Sequence, residues 1–144
     1  MITFHYEADF KLKNENACRR WIQAVIASED YREGEINYIF STDENLHKIN
    51  INYLKHNTLT DIISFDYSEG NVLGGDIFIS VERVRENAET YSVPFSEELL
   101  RVMAHGLLHY CGYKDKTEED TALMRKKEDE KIAMFHVKQN DNDV

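Results

Sequence analysis

Residues 96–115 read SEELLRVMAHGLLHYCGYKD and predict a helix that lies at the centre of the fold. Because a helix advances by about 100° per residue, its apolar residues form one broad face. The residues of this face are Leu99, Leu100, Met103, Ala104, Leu107 and Leu108. His105 and His109 fall on the opposite side together with Val102 and Glu98. The two histidines are one turn apart, where two imidazoles can reach the same metal ion.

A chain reversal after this helix completes the pattern. Gly112 follows three residues after the second histidine, where helix C-termini favour a residue with positive φ. The reversal carries Asp115 back over the histidine pair. Histidine pairs at this spacing arise by chance, and a glycine after a helix is often only a cap, so the prediction depends on their conjunction. The order His-x3-His-x2-Gly-x2-Asp predicts His105, His109 and Asp115 as metal ligands.

The chemistry of these ligands indicates the kind of metal and of site. Imidazole and carboxylate ligands without a thiolate suit Zn²⁺, with Ni²⁺, Co²⁺ and Mn²⁺ as competitors. Three protein ligands leave an open position for water or substrate, as in catalytic zinc sites. Cys111 lies at a helical angle away from the histidines, and we expect it to pack. Gly106 stands where zinc peptidases of the HExxH kind carry their glutamate base, which disfavours a peptidase.

The composition predicts one soluble domain in the cytoplasm. The chain has 144 residues, 42% of them hydrophobic, which is enough for a single core. No stretch approaches the roughly 18 apolar residues that cross a membrane, and we expect no signal peptide. Cys18 and Cys111 lie far apart in the sequence and indicate reduced thiols. The net charge of −10 disfavours a broad nucleic-acid-binding surface without excluding an RNA partner.

Periodicity along the chain predicts an α+β fold with about four strands and about five helices. The expected strands are residues 1–10, 35–41, 60–67 and 75–80. Helices are expected to begin near Asn14 or Asn16, near Thr42 or Asp43, at residue 81, at Ser96 and near Thr117, the last ending near Phe135. We expect residues 139–144 to form a frayed acidic tail.

Three blocks of the sequence resemble the YbeY endoribonucleases, a family of bacterial rRNA maturation factors. Residues 105–115, HGLLHYCGYKD, resemble the family's His-Gly-x-Leu-His-x-x-Gly-Tyr-x-His, with Asp115 in place of the third histidine. Residues 60–65, TDIISF, and 75–80, GDIFIS, resemble two strands of the family. An aspartate can also bind zinc, so the metal site is expected to survive this difference. The resemblance, over roughly residues 45–125, implies a four-stranded mixed sheet flanked by helices, with the metal site at the end of a central helix.

The function that the resemblance implies is that of a single-strand-specific metallo-endoribonuclease, with residues 1–138 as its single domain. Such an enzyme matures the 3′ end of 16S rRNA and checks assembled 70S ribosomes, so the expected partners are RNA, the ribosome and ribosome-associated proteins. Leu54 stands where many family members carry an arginine implicated in cleavage, and Lys55 and His56 are nearby cations. Two alternatives stay open: a non-catalytic, zinc-stabilised ribosome-assembly factor and a metallopeptidase.

The sequence does not identify the catalytic residues themselves. Glu98 on the histidine face, and Asp66 and Asp76 at the central strands, are candidate polar groups, although a cap, a turn or a surface position is the favoured explanation for each of them. Neither the attacking nucleophile nor the oligomeric state follows from the residues.

Overall fold

The computed structural model describes residues 1–54 and 60–142, with side chains up to residue 137, and this part of the chain forms four strands and five helices. The strands are β1 (Ile2–Tyr6), β2 (Arg32–Ser41), β3 (Ile62–Asp66) and β4 (Val72–Ser80). The helices are α1 (Glu15–Ser28), α2 (Asp43–Leu54), α3 (Val81–Tyr91), α4 (Phe95–Tyr110) and α5 (Glu118–Asn142). The predicted α+β fold with four strands and five helices is confirmed for this described part of the chain.

The four strands form one mixed sheet in the order β1-β2-β4-β3. β1 and β4 both pair with β2 in parallel, and β3 pairs with β4 in antiparallel orientation. β2 begins earlier than predicted, because Arg32 and Glu33 pair with Val72 and Leu73 of β4. The sequence predicted β2 from its alternating apolar residues. The added residues Arg32 and Glu33, at the start of the strand, are polar, so they do not show this alternation. Backbone pairing alone places them in the sheet.

The central helix, α4, is buried on more sides than its sequence pattern predicts. Its Gly106 lies so close to the sheet that a Cβ would be 3.1 Å from the Cδ1 atoms of Ile62 and Ile77. Helices α3 and α5 also pack against α4. Val102 and Glu98 are buried, although the pattern placed them on the side facing away from the core. The histidine side of α4 therefore forms the floor of a cleft.

The last helix, α5, packs against α1 and α4 and forms one wall of that cleft. It continues to Asn142, beyond the predicted end near Phe135. The fraying predicted for residues 139–144 stays a prediction, because their side chains and all of residues 143–144 lie outside the described part. Among the described residues, no helix is both long enough and apolar enough to span a membrane.

Candidate metal centre

Three side chains converge at the C-terminal end of α4, and they are the three that the sequence predicted. The Nε2 atoms of His105 and His109 lie 2.9 Å apart. The Asp115 Oδ2 atom lies 3.4 Å from His105 Nε2 and 3.5 Å from His109 Nε2. Among the described residues, these three form the group of His, Cys, Asp or Glu side chains that could hold a metal ion.

The turn after α4 brings the aspartate into place. Cys111 caps the helix, and Gly112 adopts a φ of +99°, which a residue with a side chain rarely adopts. The backbone N–H of Tyr113 then donates to the Leu108 carbonyl at 3.0 Å and closes the turn. The chain doubles back, so Asp115 faces the last turn of the helix, as the glycine position predicted.

The Nδ1 atom of each imidazole faces a hydrogen-bond acceptor, and this contact determines which ring nitrogen carries the lone pair. His109 Nδ1 lies 3.0 Å from the backbone oxygen of Tyr113, and a carbonyl can only accept. His105 Nδ1 lies 2.7 Å from Glu128 Oε2, and a carboxylate likewise accepts. Both Nδ1 atoms therefore carry hydrogen, and each neutral ring has its lone pair on Nε2. Two lone pairs facing each other at 2.9 Å repel unless a proton or a metal ion lies between them.

The separations among His105 Nε2, His109 Nε2 and Asp115 Oδ2 fit a metal ion bound by all three atoms. Tetrahedral bonds of about 2.0–2.1 Å to nitrogen and oxygen place the ligand atoms about 3.3–3.4 Å apart. Two of the three observed separations, 3.4 and 3.5 Å, match this value, and the third, 2.9 Å, is somewhat shorter. The side chains of His105, His109 and Asp115 are 21%, 32% and 45% exposed, so the site opens to solvent.

Glu128 supports the site from α5, and the sequence reasoning missed it. Its carboxylate is 6% exposed, accepts from His105 through Oε2 and accepts from Arg101 Nη1 through Oε1 at 3.0 Å. Burial alone would lower the pKa of His105, but the Glu128 carboxylate raises it above its ordinary value. The charged run RKKEDEK does not mark this glutamate. The one feature of the sequence that could have identified Glu128 is its position four residues after Met124 and four residues before Ile132. Both of these residues are buried, and Glu128 lies on the same face of α5.

The cleft above the histidines has a volume of about 560 Å³. Its walls come from the start of β3, from α3 and from α5. Its residues besides the three predicted ligands are Thr60, Asp61, Ile62, Ser64, Asn87, Tyr91, Glu98, Arg101, Val102, Thr121, Met124, Arg125 and Glu128. Burial raises the pKa of both Asp61 and Glu98, so this cleft holds two carboxyl groups that take up a proton more readily than exposed ones.

The structure distinguishes among the three carboxyl groups that the sequence suggested as candidates for the site. Glu98 lines the cleft, but Asp66 and Asp76 do not. Asp66 accepts from the backbone N–H of Ser68 at 2.8 Å, as a turn residue does. Asp76 accepts from Asn37 Nδ2 at 3.0 Å, on the neighbouring strand. Both aspartates therefore have structural explanations.

Two further positions singled out in the sequence have different outcomes. Cys111 packs against the core as expected, and burial raises its thiol pKa to about 12. Leu54 is 41% exposed at the end of α2 and offers no cation. Lys55 and His56, which were considered in its place, lie outside the described residues.

Fold and site together define a single α+β domain with a group able to bind metal at the end of its central helix. The family model described as Endoribonuclease YbeY matches residues 3–136 of the chain. The chain belongs to the YbeY endoribonuclease family. The resemblance seen in the sequence, and with it the predicted enzyme class, is confirmed.

Several relatives are similar to this chain over nearly its whole length. Endoribonuclease YbeY of Flavobacterium johnsoniae is 66% identical over 139 residues, which cover 96% of this chain and 100% of that protein. Endoribonuclease YbeY of Christiangramia forsetii is 57% identical over 138 residues, 96% of each chain. The solution structure of a Thermotoga maritima protein superposes with a TM-score of 0.66 at 21% identity, covering 99% of this chain and 94% of that one. This last likeness concerns the fold alone.

Proposed function

We propose that this chain is a zinc-dependent endoribonuclease that cleaves single-stranded RNA at a metal ion held by His105, His109 and Asp115. The observation that carries the proposal is the convergence of His105 Nε2, His109 Nε2 and the Asp115 carboxylate, with both Nδ1 atoms held by acceptors on the other side. Membership of the YbeY family supports RNA as the substrate. Nitrogen and oxygen ligands without a thiolate favour zinc, with other divalent transition metals as competitors.

Different residues of the chain would hold the metal ion, orient its ligands and carry protons at this site. A zinc ion held by His105, His109 and Asp115 would supply Lewis-acid stabilisation of a phosphate oxygen and would lower the pKa of water in the site. Glu128 and the Tyr113 carbonyl hold the two imidazoles in the tautomer that leaves Nε2 free. Asp61 and Glu98, whose pKa values are raised by burial, are the carboxyl groups of the cleft that are placed to carry a proton.

The biological role that we propose follows from the family. The substrate is the 16S rRNA precursor, cleaved during 3′-end maturation in the bacterial cytoplasm, and the same activity serves quality control of 70S ribosomes. We propose residues 1–138 as the functional domain. The ribosome and proteins bound to it are the proposed partners.

A non-catalytic assembly factor that uses zinc for stability is the second candidate. Leu54 favours it, because the family resemblance implies an arginine implicated in cleavage at this position, and a leucine side chain offers a phosphate neither a charge nor a hydrogen-bond donor. A metallopeptidase is a weaker candidate. The position after His105 is Gly106, which packs against the sheet and leaves no room for a general base.

Cleavage of a 5′-labelled single-stranded RNA by zinc-loaded protein tests the proposal. We expect the wild type to cut the RNA, His109→Ala to lose both zinc and cleavage, and the surface variant His136→Ala to match the wild type. His109→Ala that stays folded and still cuts at the wild-type rate contradicts the proposal. A zinc-loaded wild type that cuts no RNA favours the assembly factor, and cleavage of casein under the same conditions favours the peptidase. A 2′,3′-cyclic phosphate product identifies the ribose hydroxyl as nucleophile.

A further inference from the structure

The cleft above the candidate metal centre is lined by more carboxyl groups than guanidinium groups. Four carboxyl groups and two guanidinium groups line it: Asp61, Glu98, Asp115, Glu128, Arg101 and Arg125. An RNA phosphate that enters the cleft meets more carboxyl groups than guanidinium groups, so a cation with free donors there favours its binding. Arg101 is already engaged, because it donates to Glu128 at 3.0 Å and to Asp129 at 2.7 Å.

Arg125 is the cleft cation that is available for a ligand. Its side chain is 54% exposed, and its ion pair with Glu128 spans 3.8 Å, longer than a hydrogen bond. Within the described part of the chain, no carboxylate holds its guanidinium by a hydrogen bond. Its positive charge opposes the rise that burial causes in the pKa of Glu98, another residue of the cleft. A guanidinium with unused donors matches the geometry of a phosphate group.

Tyr91 brings an aromatic ring to the same cleft from α3. It is the last residue of that helix and is 56% exposed. Asn87, one turn earlier, lines the cleft with it. An exposed aromatic ring and a cation that line the same cleft are the two elements that single-strand-binding proteins combine, because bases stack on the ring while the cation contacts the backbone.

We propose that Tyr91 and Arg125 form a subsite for single-stranded RNA next to the metal centre. An unpaired base stacks on Tyr91, and a phosphate neighbouring the cleaved one binds Arg125. The inference deepens the proposed function and rests on it for the identity of the substrate. A base inside a duplex is stacked on its neighbours and cannot reach Tyr91, so this subsite selects unpaired RNA. The cleft volume, about 560 Å³, lies within the range of pockets for small ligands and suits a splayed nucleotide.

Binding of a fluorescein-labelled, 2′-O-methyl single-stranded RNA decamer to the zinc-loaded full chain tests this subsite. The 2′-O-methyl groups block attack by the ribose hydroxyl, and a gel after each titration checks that the probe is intact. We compare Tyr91→Leu with Tyr67→Leu, an exposed tyrosine outside the cleft. We compare Arg125→Gln with Lys126→Gln, which removes the same charge from the next, exposed position of α5.

We expect Tyr91→Leu to weaken binding about fivefold or more, the usual loss of one base–aromatic stack. Arg125→Gln should reduce the slope of log affinity against log salt by about 0.7, the value for one single-strand phosphate contact. Both control variants should bind as the wild type does. A duplex of the same sequence should bind more weakly, and Tyr91→Leu should not weaken it further.

The outcomes separate this inference from the proposed function. If folded Tyr91→Leu and Arg125→Gln bind the probe like their controls and cleave RNA with unchanged KM, the subsite is refuted while the nuclease proposal stands. If the wild type binds RNA through both residues but never cleaves it, the nuclease proposal fails and the subsite stands. An increase in KM with little change in kcat for both variants is the expected kinetic result.

Discussion

Replacing Glu128 by glutamine should weaken metal binding although this residue is not one of the proposed ligands. The carboxylate has two oxygens, one accepting from His105 Nδ1 at 2.7 Å and one accepting from Arg101 at 3.0 Å. A glutamine amide has one acceptor oxygen, so either His105 or Arg101 then faces an NH₂ donor. Since the side chain is 6% exposed, solvent cannot supply the missing acceptor easily.

The magnitude follows from what such supporting residues contribute elsewhere. Loss of a hydrogen-bond partner behind a metal-bound histidine lowers metal affinity about 10–100-fold, or about 1.4–2.7 kcal/mol. Because the lost partner is charged and buried, we expect Glu128→Gln to fall in the upper half of this range. Competition for Zn²⁺ against a chromophoric chelator at pH 7.5 measures the change.

Asp129→Asn is the matched control for this experiment. Asp129 also pairs with Arg101, at 2.7 Å, but it is 62% exposed and forms no contact with His105 among the described residues. We expect its zinc affinity to stay within about twofold of the wild type. If folded Glu128→Gln binds zinc as tightly as Asp129→Asn, the support assigned to Glu128 is wrong.

Three further predictions concern the rest of the chain. Burial alone would raise the pKa of Glu29, but hydrogen bonds from Lys131, Tyr113 and Lys127 hold it below its usual value. A depressed folded-state pKa stabilises the fold above the unfolded pKa of about 4.3, and this contribution disappears as the pH falls through the folded pKa. The Tm difference between the wild type and Glu29→Gln should therefore shrink below about pH 4, and a pH-independent difference would contradict this. The Cys111 thiol, with a pKa raised to about 12 by burial, should resist iodoacetamide at pH 7.5 until the protein unfolds, and Cys111→Ala should keep the wild-type zinc affinity. Gly75→Ala should lose about 3 kcal/mol or more in urea unfolding, because its Cβ would overlap the Phe65 carbonyl oxygen and the Tyr110 hydroxyl, and wild-type stability would contradict this packing.

Local sequence patterns predicted the part of the site that is local in the chain. Helical spacing placed His105 and His109 side by side, and the glycine position predicted the reversal that brings Asp115 to them. These features lie within eleven consecutive residues, and each follows from backbone geometry. Chain-local rules therefore sufficed for these three residues.

The surroundings of the site depend on tertiary packing, which no local pattern contains. Glu128 reaches His105 from α5, and its neighbours in sequence are as highly charged as it is. Val102 shares a helix face with the histidines and was expected to face outwards, but the cleft walls bury it to 3% exposure. Whether a polar helix face meets water or another helix is decided by elements distant in the chain.

Zinc binding by the wild type and by Asp115→Ala, measured by elemental analysis and chelator competition, decides whether the three converging side chains hold a metal ion. We expect one zinc ion per wild-type chain. Folded Asp115→Ala should lose more affinity than the roughly 100-fold upper value for supporting residues, since it removes a ligand itself. One tightly held zinc ion in Asp115→Ala, or none in the wild type, would contradict the assignment of these ligands.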